Sequence, residues 1–381
     1  MRGIFRAISE FVKKADMILL ALCITATIYG TVIISSATAY VGSSRYVVIQ
    51  LAAMFLGIVA YVILTLIDVD IIAERRELLL LFCIFFIALL QIFGVERGGN
   101  RSWLDFGLPI MIQPAEICKI FFIIILAKTM AVKQDKLSSP ITMVELAGIT
   151  VLFALLIRIF SWDDGMMLNY VFIFAIMIFV GGINLIWFLI GGGALLAAFP
   201  FLWSSLGEYQ RNRILVLFDS TIDPDAQGVR YQMNYTIRAL QNGGIAGRGL
   251  YNGSMVQAGI IPAQHTDSIF AACGEELGVL GCVMILLLLG AIIIRCVYVG
   301  MKSGNYMNRM ICIGIAGMLA SQIAINVGMC LGVFPVVGLT LPFFSYGGSS
   351  IVTMFAAMGF VSGINMRPAP DANARYIRPK Y

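Results

Sequence analysis

The sequence carries little charge. Only 12% of its 381 residues are Asp, Glu, Lys or Arg, about half of the roughly 25% that is usual in soluble domains. The chain is instead 60% hydrophobic, with apolar runs of about 20 residues, the length that crosses about 30 Å of hydrocarbon. These runs lack the polar–apolar alternation of barrel strands. The composition excludes a soluble globular domain and predicts an all-α polytopic membrane protein.

Histidine and metal-ligand spacings are also scarce. The chain has 1 histidine, and none of its 8 cysteines belongs to a CxxC or Cys/His pattern, so a zinc centre built by the protein is not expected. The sequence contains no phosphate-binding P-loop and no evident repeat of the kind found in many transporters. The net charge of +5 comes from Lys and Arg clustered in short loops, so nucleic acid is not an expected partner.

Hydropathy predicts about ten membrane-spanning helices within a single integral membrane domain, residues 1–381. Residues 1–16 show apolar residues at helical spacing with basic residues between them, which predicts an amphipathic helix on the membrane surface. A long polar segment, 206–268, separates the seventh and eighth spans, and a basic tail, 367–381, follows the last. The predicted spans are about 17–37, 46–67, 77–94, 114–132, 141–160, 167–182, 184–203, 269–298, 306–333 and 345–366.

The basic residues predict the orientation. With a cytoplasmic N-terminus, the short cytoplasmic segments hold Arg75, Arg76, Lys128, Lys133, Lys136, Arg295, Lys302 and Arg309, as the positive-inside rule expects. Both termini are therefore predicted to be cytoplasmic, and segment 206–268 to be extracytoplasmic. A loop of this length in a compact protein is usually functional. Its glycine-rich stretch, GGIAGRGL, would allow the backbone to approach a ligand closely.

Asp267 lies where this polar segment enters the eighth predicted span, in the string QHTDSIF. Two interpretations are open. Thr and Asp both suit the cap of a helix, and a carboxylate at the mouth of an outward cavity can also take a proton from a sugar hydroxyl. Capping is the commoner use of such a residue. His265, close by, is by itself more typical of a polar loop than of a catalytic base.

A second polar group flanks the start of the fourth predicted span. Glu116 and Lys119 are three residues apart, so they share a helix face and can form an ion pair. Behind Pro114, Glu116 could simply be a capping residue, but Lys119 lies a turn deeper, where an ionisable side chain is costly unless paired. Arg101, slightly upstream, suits pyrophosphate binding, or it could be an interfacial residue beside Trp103.

Two further stretches place polar side chains near span ends. The string PFFSYGGSS supplies Ser345 and Tyr346 at the outer mouth, among small residues that also favour close helix packing. Glu275 and Glu276 lie early in the eighth apolar stretch, whose roughly 30 residues would form a helix of about 45 Å. Because this exceeds the bilayer core, we expect the helix to project outward, with both glutamates at the interface and not buried.

Together these stretches resemble one family, the shape, elongation, division and sporulation (SEDS) proteins typified by RodA and FtsW. The segment NRSWLDFG…IQPAEICKI is similar to the family's RxW…QPSExxK, and GGIAGRGL to its GGxxGxGL loop. IPAQHTDSIFAACGEELG resembles the family's signature around an aspartate, and INVGMCLGVFPVVGLTLPFFSYGGSS resembles its INxG…LPFxSYGGSS block. The four stretches occur in the family's order, and the resemblance covers nearly the whole chain.

The resemblance implies a peptidoglycan glycosyltransferase that polymerises lipid II on the outer face of the bacterial cytoplasmic membrane, with a class B penicillin-binding protein as partner. It implies that Asp267 is the catalytic residue and that Glu116 and Lys119 form an intramembrane acid–base pair. Mg²⁺ or Mn²⁺ is the cofactor that the family implies, although the sequence shows no cage for it. Elongation, division and sporulation members share these motifs, so the motifs do not choose among them.

Three positions depart from the family pattern. Ser268 replaces the usual aromatic residue after the aspartate, and Ala263 stands where glutamate is common. Around Asp163 the family's QPDxG is replaced by SWDDG, so the pattern does not secure a role for Asp163. The first two departures affect details of the pocket and not the proposed base.

The implied reaction is an inverting glycosyl transfer. Asp267 would deprotonate or orient the 4-hydroxyl of the acceptor N-acetylglucosamine, whose oxygen attacks the anomeric carbon of the donor and displaces undecaprenyl pyrophosphate. Cations would stabilise the leaving pyrophosphate. The expected substrate-binding residues are Arg101, Glu116, Lys119, Arg248, His265, Ser345 and Tyr346. A lipid II flippase or other transporter, and a non-catalytic scaffold for the penicillin-binding protein, are the alternatives.

Overall fold

A computed structural model describes residues 11–97, 99–107, 111–219, 221–223 and 228–367. Within these ranges the chain is mostly helical, with one two-stranded antiparallel hairpin, β1 (Gly94–Arg97) and β2 (Asn100–Leu104). The helices are α1 Met17–Ala37, α2 Arg45–Leu66, α3 Val69–Glu74, α4 Arg76–Ala88, α5 Leu90–Phe93, α6 Pro114–Val132, α7 Pro140–Phe160, α8 Asp164–Val180, α9 Ile186–Ser205, α10 Glu208–Leu215, α11 Val229–Gly243, α12 Ser254–Gln257, α13 Ile269–Lys302, α14 Tyr306–Cys330 and α15 Gly348–Met366.

Each predicted span coincides with a helical segment, and the ends differ by a few residues. Among the described residues, 7 helical segments are long and apolar enough to cross a membrane, and α8 and α9 are shorter apolar helices. The remaining predicted span, α6, carries Glu116, Lys119 and Lys128. The prediction of a helical, multi-pass membrane protein is confirmed. The count of ten spans and the assignment of sides stay predictions.

The two predicted terminal segments lie largely outside the described residues. Of the amphipathic segment 1–16, residues 1–10 are outside them, and Asp16 caps α1 by accepting a hydrogen bond from Leu19 N at 3.0 Å. Asp16 also accepts from Arg295 Nε at 2.8 Å, which ties the start of α1 to α13. Of the tail 367–381, only Arg367 is described, and its guanidinium donates to backbone carbonyls at the end of α2.

Small residues bring the central helices close together. The apolar stretches of α14 and α15 are each 78% buried, and α14 packs against α6, α8 and α13. Along the α2–α15 contact, a Cβ at Gly359 would lie 2.8 Å from the Tyr61 carbonyl oxygen, so the backbones meet where only glycine fits. In contrast, none of the described side chains of α9 is buried, so α9 lies at the edge of the bundle.

Helix α13 is broken near its N-terminal end. Gly278 has φ 68° and ψ −166° there, and the glycine-rich loop packs its main chain into the break. Val279 N donates to Gly244 O at 3.0 Å, and Gly249 N donates to Glu276 O at 2.8 Å. A Cβ at Gly247 would lie 2.2 Å from the backbone carbonyl oxygen of Glu276. The loop glycines therefore allow two stretches of backbone to pack closely against each other, and this close approach is not to a ligand as the sequence predicts.

The expectation that Glu275 and Glu276 are not buried is wrong, because α11 and α12 cover the part of α13 that precedes the break. The two residues are 0% and 1% exposed. Glu275 accepts hydrogen bonds from Met255 N at 3.0 Å and Val256 N at 2.8 Å, which caps α12. Glu276 accepts from Gln257 Nε2 at 2.8 Å. Both carboxylates stabilise the fold of the long loop.

Candidate active site

A cavity of about 830 Å³ opens at one end of the bundle. The first turn of α2, the β-hairpin, the starts of α6 and α8, and the loops before α13 and α15 surround it. Side chains from distant parts of the chain therefore meet in one space. Its charged and polar lining residues include Arg45, Tyr46, Asn100, Gln113, Glu116, Asp163, Arg213, Gln232, His265, Asp267 and Tyr346.

Asp267 lines this cavity and does not cap the following helix. Helix α13 starts at Ile269, and its N-cap is Ser268, which makes no capping hydrogen bond through its side chain. Asn326 Nδ2 donates to the Asp267 backbone carbonyl at 2.8 Å and so fixes the main chain. No described residue donates a hydrogen bond to the half-buried carboxylate, and burial raises its pKa to about 6. The capping interpretation is therefore wrong, and the carboxylate is available to a ligand.

The backbone on either side of Asp267 is held by the motif before α15. The Ser345 hydroxyl donates to Thr266 O at 2.6 Å and accepts from Leu341 N at 2.8 Å. Tyr346 N donates to His265 O at 2.8 Å. Ser345 does not line the cavity. This residue therefore positions the loop that carries Asp267, and the sequence prediction that it contacts substrate finds no support in the geometry.

His265 and two tyrosines form an aromatic wall of the cavity. The ring centroids of His265 and Tyr46 are 5.0 Å apart, and those of His265 and Tyr346 are 5.7 Å apart. Burial lowers the pKa of His265 and so favours the neutral imidazole. His265 Nδ1 is buried without a hydrogen-bond partner among the described residues. The wall offers apolar ring faces and one polar atom to a ligand.

Glu116 and Lys119 form the predicted ion pair, with Lys119 Nζ 3.0 Å from Glu116 Oε1. Both side chains are buried, but only Glu116 lines the cavity. Glu116 Oε2 has no hydrogen-bond partner among the described residues. The first turn of α6 is further fixed by Tyr170, whose hydroxyl donates to Ala115 O at 2.8 Å. Of this pair, Glu116 therefore borders the cavity, and Lys119 lies outside its lining.

Asp163 lines the same cavity, although its family motif is degraded. It caps α8 by accepting from Met166 N at 2.8 Å, and it accepts from Gln113 Nε2 at 3.4 Å. Burial raises its pKa to about 7. The Met166 hydrogen bond opposes this, and the negative charges of neighbouring carboxylates, Asp267 included, add to it. The loss of Gln and Pro from the motif leaves Asp163 in place, because the cap depends on the aspartate alone.

The cations of the cavity are not the two arginines expected from the sequence. Arg101 donates to the Gln91 carbonyl oxygen, within α5, at 2.6 Å, and the exposed Arg248 donates to Asn242 O at 3.2 Å. Neither lines the cavity. Arg45, on the first turn of α2, and Arg213, in α10, do line it. The sequence gives little indication of either residue, because Arg45 begins a membrane span and Arg213 lies in a short loop helix far along the chain, and no motif connects the two.

The donor set does not form a metal cage. Within the described ranges, no group of three or more His, Cys, Asp or Glu side chains is spaced to hold a metal ion. The carboxylates that face the cavity are distributed over α6, α8 and the loop before α13. Mg²⁺ or Mn²⁺ stays a prediction from the family resemblance.

The structure is that of a multi-pass membrane protein in which acidic and basic residues face a cavity at one end of the helix bundle. The chain belongs to the FtsW/RodA/SpoVE family of cell cycle proteins, whose model matches residues 16–369. It is 29% identical over 354 residues to the peptidoglycan glycosyltransferase MrdB of Escherichia coli K12, which spans 92% of this chain and 93% of that protein.

Further relatives and solved structures agree. Stage V sporulation protein E of Bacillus subtilis is 32% identical over 359 residues, spanning 92% of this chain and 96% of that protein. A chain from a peptidoglycan synthase complex superposes with a TM-score of 0.81 at 28% identity, covering 94% of this chain and 99% of that one. RodA of Thermus thermophilus superposes with a TM-score of 0.67 at 25% identity, covering 94% and 98%.

Proposed function

We propose that the protein is a peptidoglycan glycosyltransferase that polymerises lipid II into β-1,4 glycan strands at the outer face of the bacterial cytoplasmic membrane. The observation that carries the proposal is the Asp267 carboxylate, which faces a large cavity with no hydrogen bond from any described residue. Membership of the family and the relatives that are named peptidoglycan glycosyltransferases support the same activity.

Asp267 acts as the general base. A pKa of about 6 leaves the carboxylate mostly ionised at pH 7 and makes it a stronger base than an ordinary aspartate. It takes the proton from the acceptor 4-hydroxyl while that oxygen forms the new bond to the anomeric carbon. The bond from this carbon to the pyrophosphate oxygen breaks, and the leaving group takes the electron pair. A single displacement of this kind inverts an α-linked donor to a β-1,4 product.

Arg45 and Arg213 stabilise the negative charge that develops on the leaving pyrophosphate. Both line the cavity with Asp267, and Arg45 forms no ion pair with any described residue. Fixed cations aimed at a developing charge are usually a large contribution to catalysis, and a guanidinium matches phosphate oxygens in geometry. These two arginines replace Arg101 and Arg248 in the mechanism, because the latter donate to backbone carbonyls elsewhere.

The remaining cavity residues bind and position the sugars. The aromatic wall of Tyr46, His265 and Tyr346 lies beside Asp267 and supplies ring faces to a saccharide. The buried Glu116–Lys119 pair holds the start of α6 against the cavity. A class B penicillin-binding protein is the partner that we propose, supported by the similarity to a chain of a peptidoglycan synthase complex.

Polymerisation of labelled lipid II by the purified protein, with and without a penicillin-binding protein, tests the proposal. Glycan strands from the wild type, and their loss in Asp267→Asn, are the expected result. A flippase would instead translocate lipid II across vesicles and would still do so as Asp267→Ala. A non-catalytic scaffold would make no glycan strands, either as the wild type or as a variant. Strands of normal length from Asp267→Asn would show that Asp267 is not the base.

A further inference from the structure

A second cavity, of about 530 Å³, lies at the opposite end of the bundle from Asp267. Helices α6 and α8 begin at the active-site cavity and end at this one, and α14 runs the other way. The second cavity lies between the α6–α7 connection, the α8–α9 turn and the first turn of α14. Its lining includes Lys136, Ser138, Ser139, Gly182, Tyr306 and Arg309. Five helices end or begin here, which places it at the headgroup level of the predicted cytoplasmic side.

The cavity has a cationic character. Lys136 and Arg309 both line it, against one carboxylate, Asp135, which leaves a formal charge of +1. Neither cation forms an ion pair with another described residue. The Arg309 guanidinium lies 5.2 Å from the centre of the Tyr306 ring, which holds it over the start of α14. An anionic group entering the cavity would therefore meet a net positive charge and two cations that form no ion pair with a described carboxylate.

An apolar surface continues directly from the polar lining. Phe179, at the end of α8, is 62% exposed, and Leu185 and Leu189, after the α8–α9 turn, are 62% and 76% exposed. Trp187 lies at the same turn, and its Nε1 donates to Ser138 O at 3.0 Å. Tryptophan with its polar edge satisfied at a span end is typical of the membrane interface. A ligand with a charged head and hydrocarbon tails fits this combination, whereas a free anion would use only the polar part.

We propose that this cavity binds the phosphate headgroup of an anionic phospholipid from the leaflet on this side, with its acyl chains along α8 and α9. Basic pockets between helices on the cytoplasmic side commonly hold such headgroups. A bound headgroup would contact the α6–α7 connection, the α8–α9 turn and the start of α14, which are already joined by hydrogen bonds. The Tyr306 hydroxyl donates to Gly181 O at 3.1 Å, and Ser138 Oγ accepts from Asn184 N at 3.0 Å. The lipid therefore steadies the α8–α9 turn from which the peripheral helix α9 departs.

Lipid titration of the full-length, delipidated protein in detergent, followed by native mass spectrometry, tests this proposal. Phosphatidylglycerol is expected to bind more tightly than phosphatidylcholine. Replacing both cations, as Lys136→Gln with Arg309→Gln, should weaken phosphatidylglycerol binding by about thirtyfold and leave phosphatidylcholine binding unchanged. Lys302→Gln is the matched control, because Lys302 is an exposed basic residue at the end of α13 that does not line the cavity.

Three outcomes would overturn the proposal. These are equal binding of the two lipids, an equal loss in Lys302→Gln, or binding of inorganic phosphate as tight as that of phosphatidylglycerol, which would assign the cavity to a free anion. Arg309→Lys keeps the charge and should retain most of the binding. If the double variant does not fold, Lys136→Gln alone, on the exposed turn after α6, should weaken binding about fivefold.

Discussion

Asp267 and Glu275 lie on either side of the start of α13, yet their carboxylates have opposite surroundings. Both oxygens of Glu275 accept hydrogen bonds from the chain, from the backbone of α12 and from the Ser254 hydroxyl. The Asp267 carboxylate accepts none from the described residues and faces the cavity. A buried carboxylate whose partners come from the protein serves the fold, whereas one left without partners beside a cavity is a functional candidate.

The largest effect is expected from Asp267→Asn. The substitution keeps the size of the side chain but removes the base, so lipid II polymerisation should fall by about 10²- to 10⁴-fold. Thermal unfolding should be unchanged, because no hydrogen bond of the described chain ends on this carboxylate. Strand synthesis on gels and unfolding of the same preparation are the two measurements. If the unfolding temperature fell together with activity, Asp267 would, like Glu275, be a residue that stabilises the fold.

Lys119→Met should lower the free energy of unfolding by about 3–5 kcal/mol, because it leaves the buried Glu116 without its cation. Chemical denaturation in detergent measures this loss. The matched control is the double variant Glu116→Gln with Lys119→Met, which removes both charges and should recover most of the stability. If the double variant were as unstable as the single one, the unpaired charge of Glu116 would not be the cause of the lost stability.

Glu275→Gln should lower the free energy of unfolding by about 1–3 kcal/mol, since an amide nitrogen would face backbone N–H donors of α12. Turnover by the folded fraction should stay near the wild-type rate, because Glu275 lies outside the cavity lining. Denaturation curves and single-turnover polymerisation, taken together, separate the two effects. Loss of turnover at full stability would mean that Glu275 takes part in the reaction.

The pH dependence of the polymerisation rate should follow the ionisation of the Asp267 carboxylate. Burial raises its pKa to about 6, and the base must be ionised, so activity should be present above pH 6 and fall about tenfold per pH unit below it. Initial rates between pH 5 and 8, with unfolding recorded at each pH, check the profile. Glu275→Gln should retain the same profile. A rate that is constant between pH 5 and 7 would contradict the assignment of the base.

The sequence predicted the local features of the site well. Glu116 and Lys119 form their ion pair because residues three apart on a helix are neighbours whatever surrounds them. Asp267 could be located at the entry to α13, but its sequence suited a cap equally well. Only the course of the chain, with Ser268 as N-cap and Asn326 holding the Asp267 carbonyl, decides between these uses.

By itself, the sequence determined the class of protein and the positions of its helices. Apolar runs of span length must form helices in lipid, because backbone groups have no other partner there. The tertiary structure alone decided which charges face the cavity. Arg45 and Arg213 come from segments far apart in the chain, and Glu275 is buried because glycine backbones pack into the break at Gly278. Such contacts depend on which surfaces pack together in the folded protein, so they cannot be predicted from the spacing of residues along the chain.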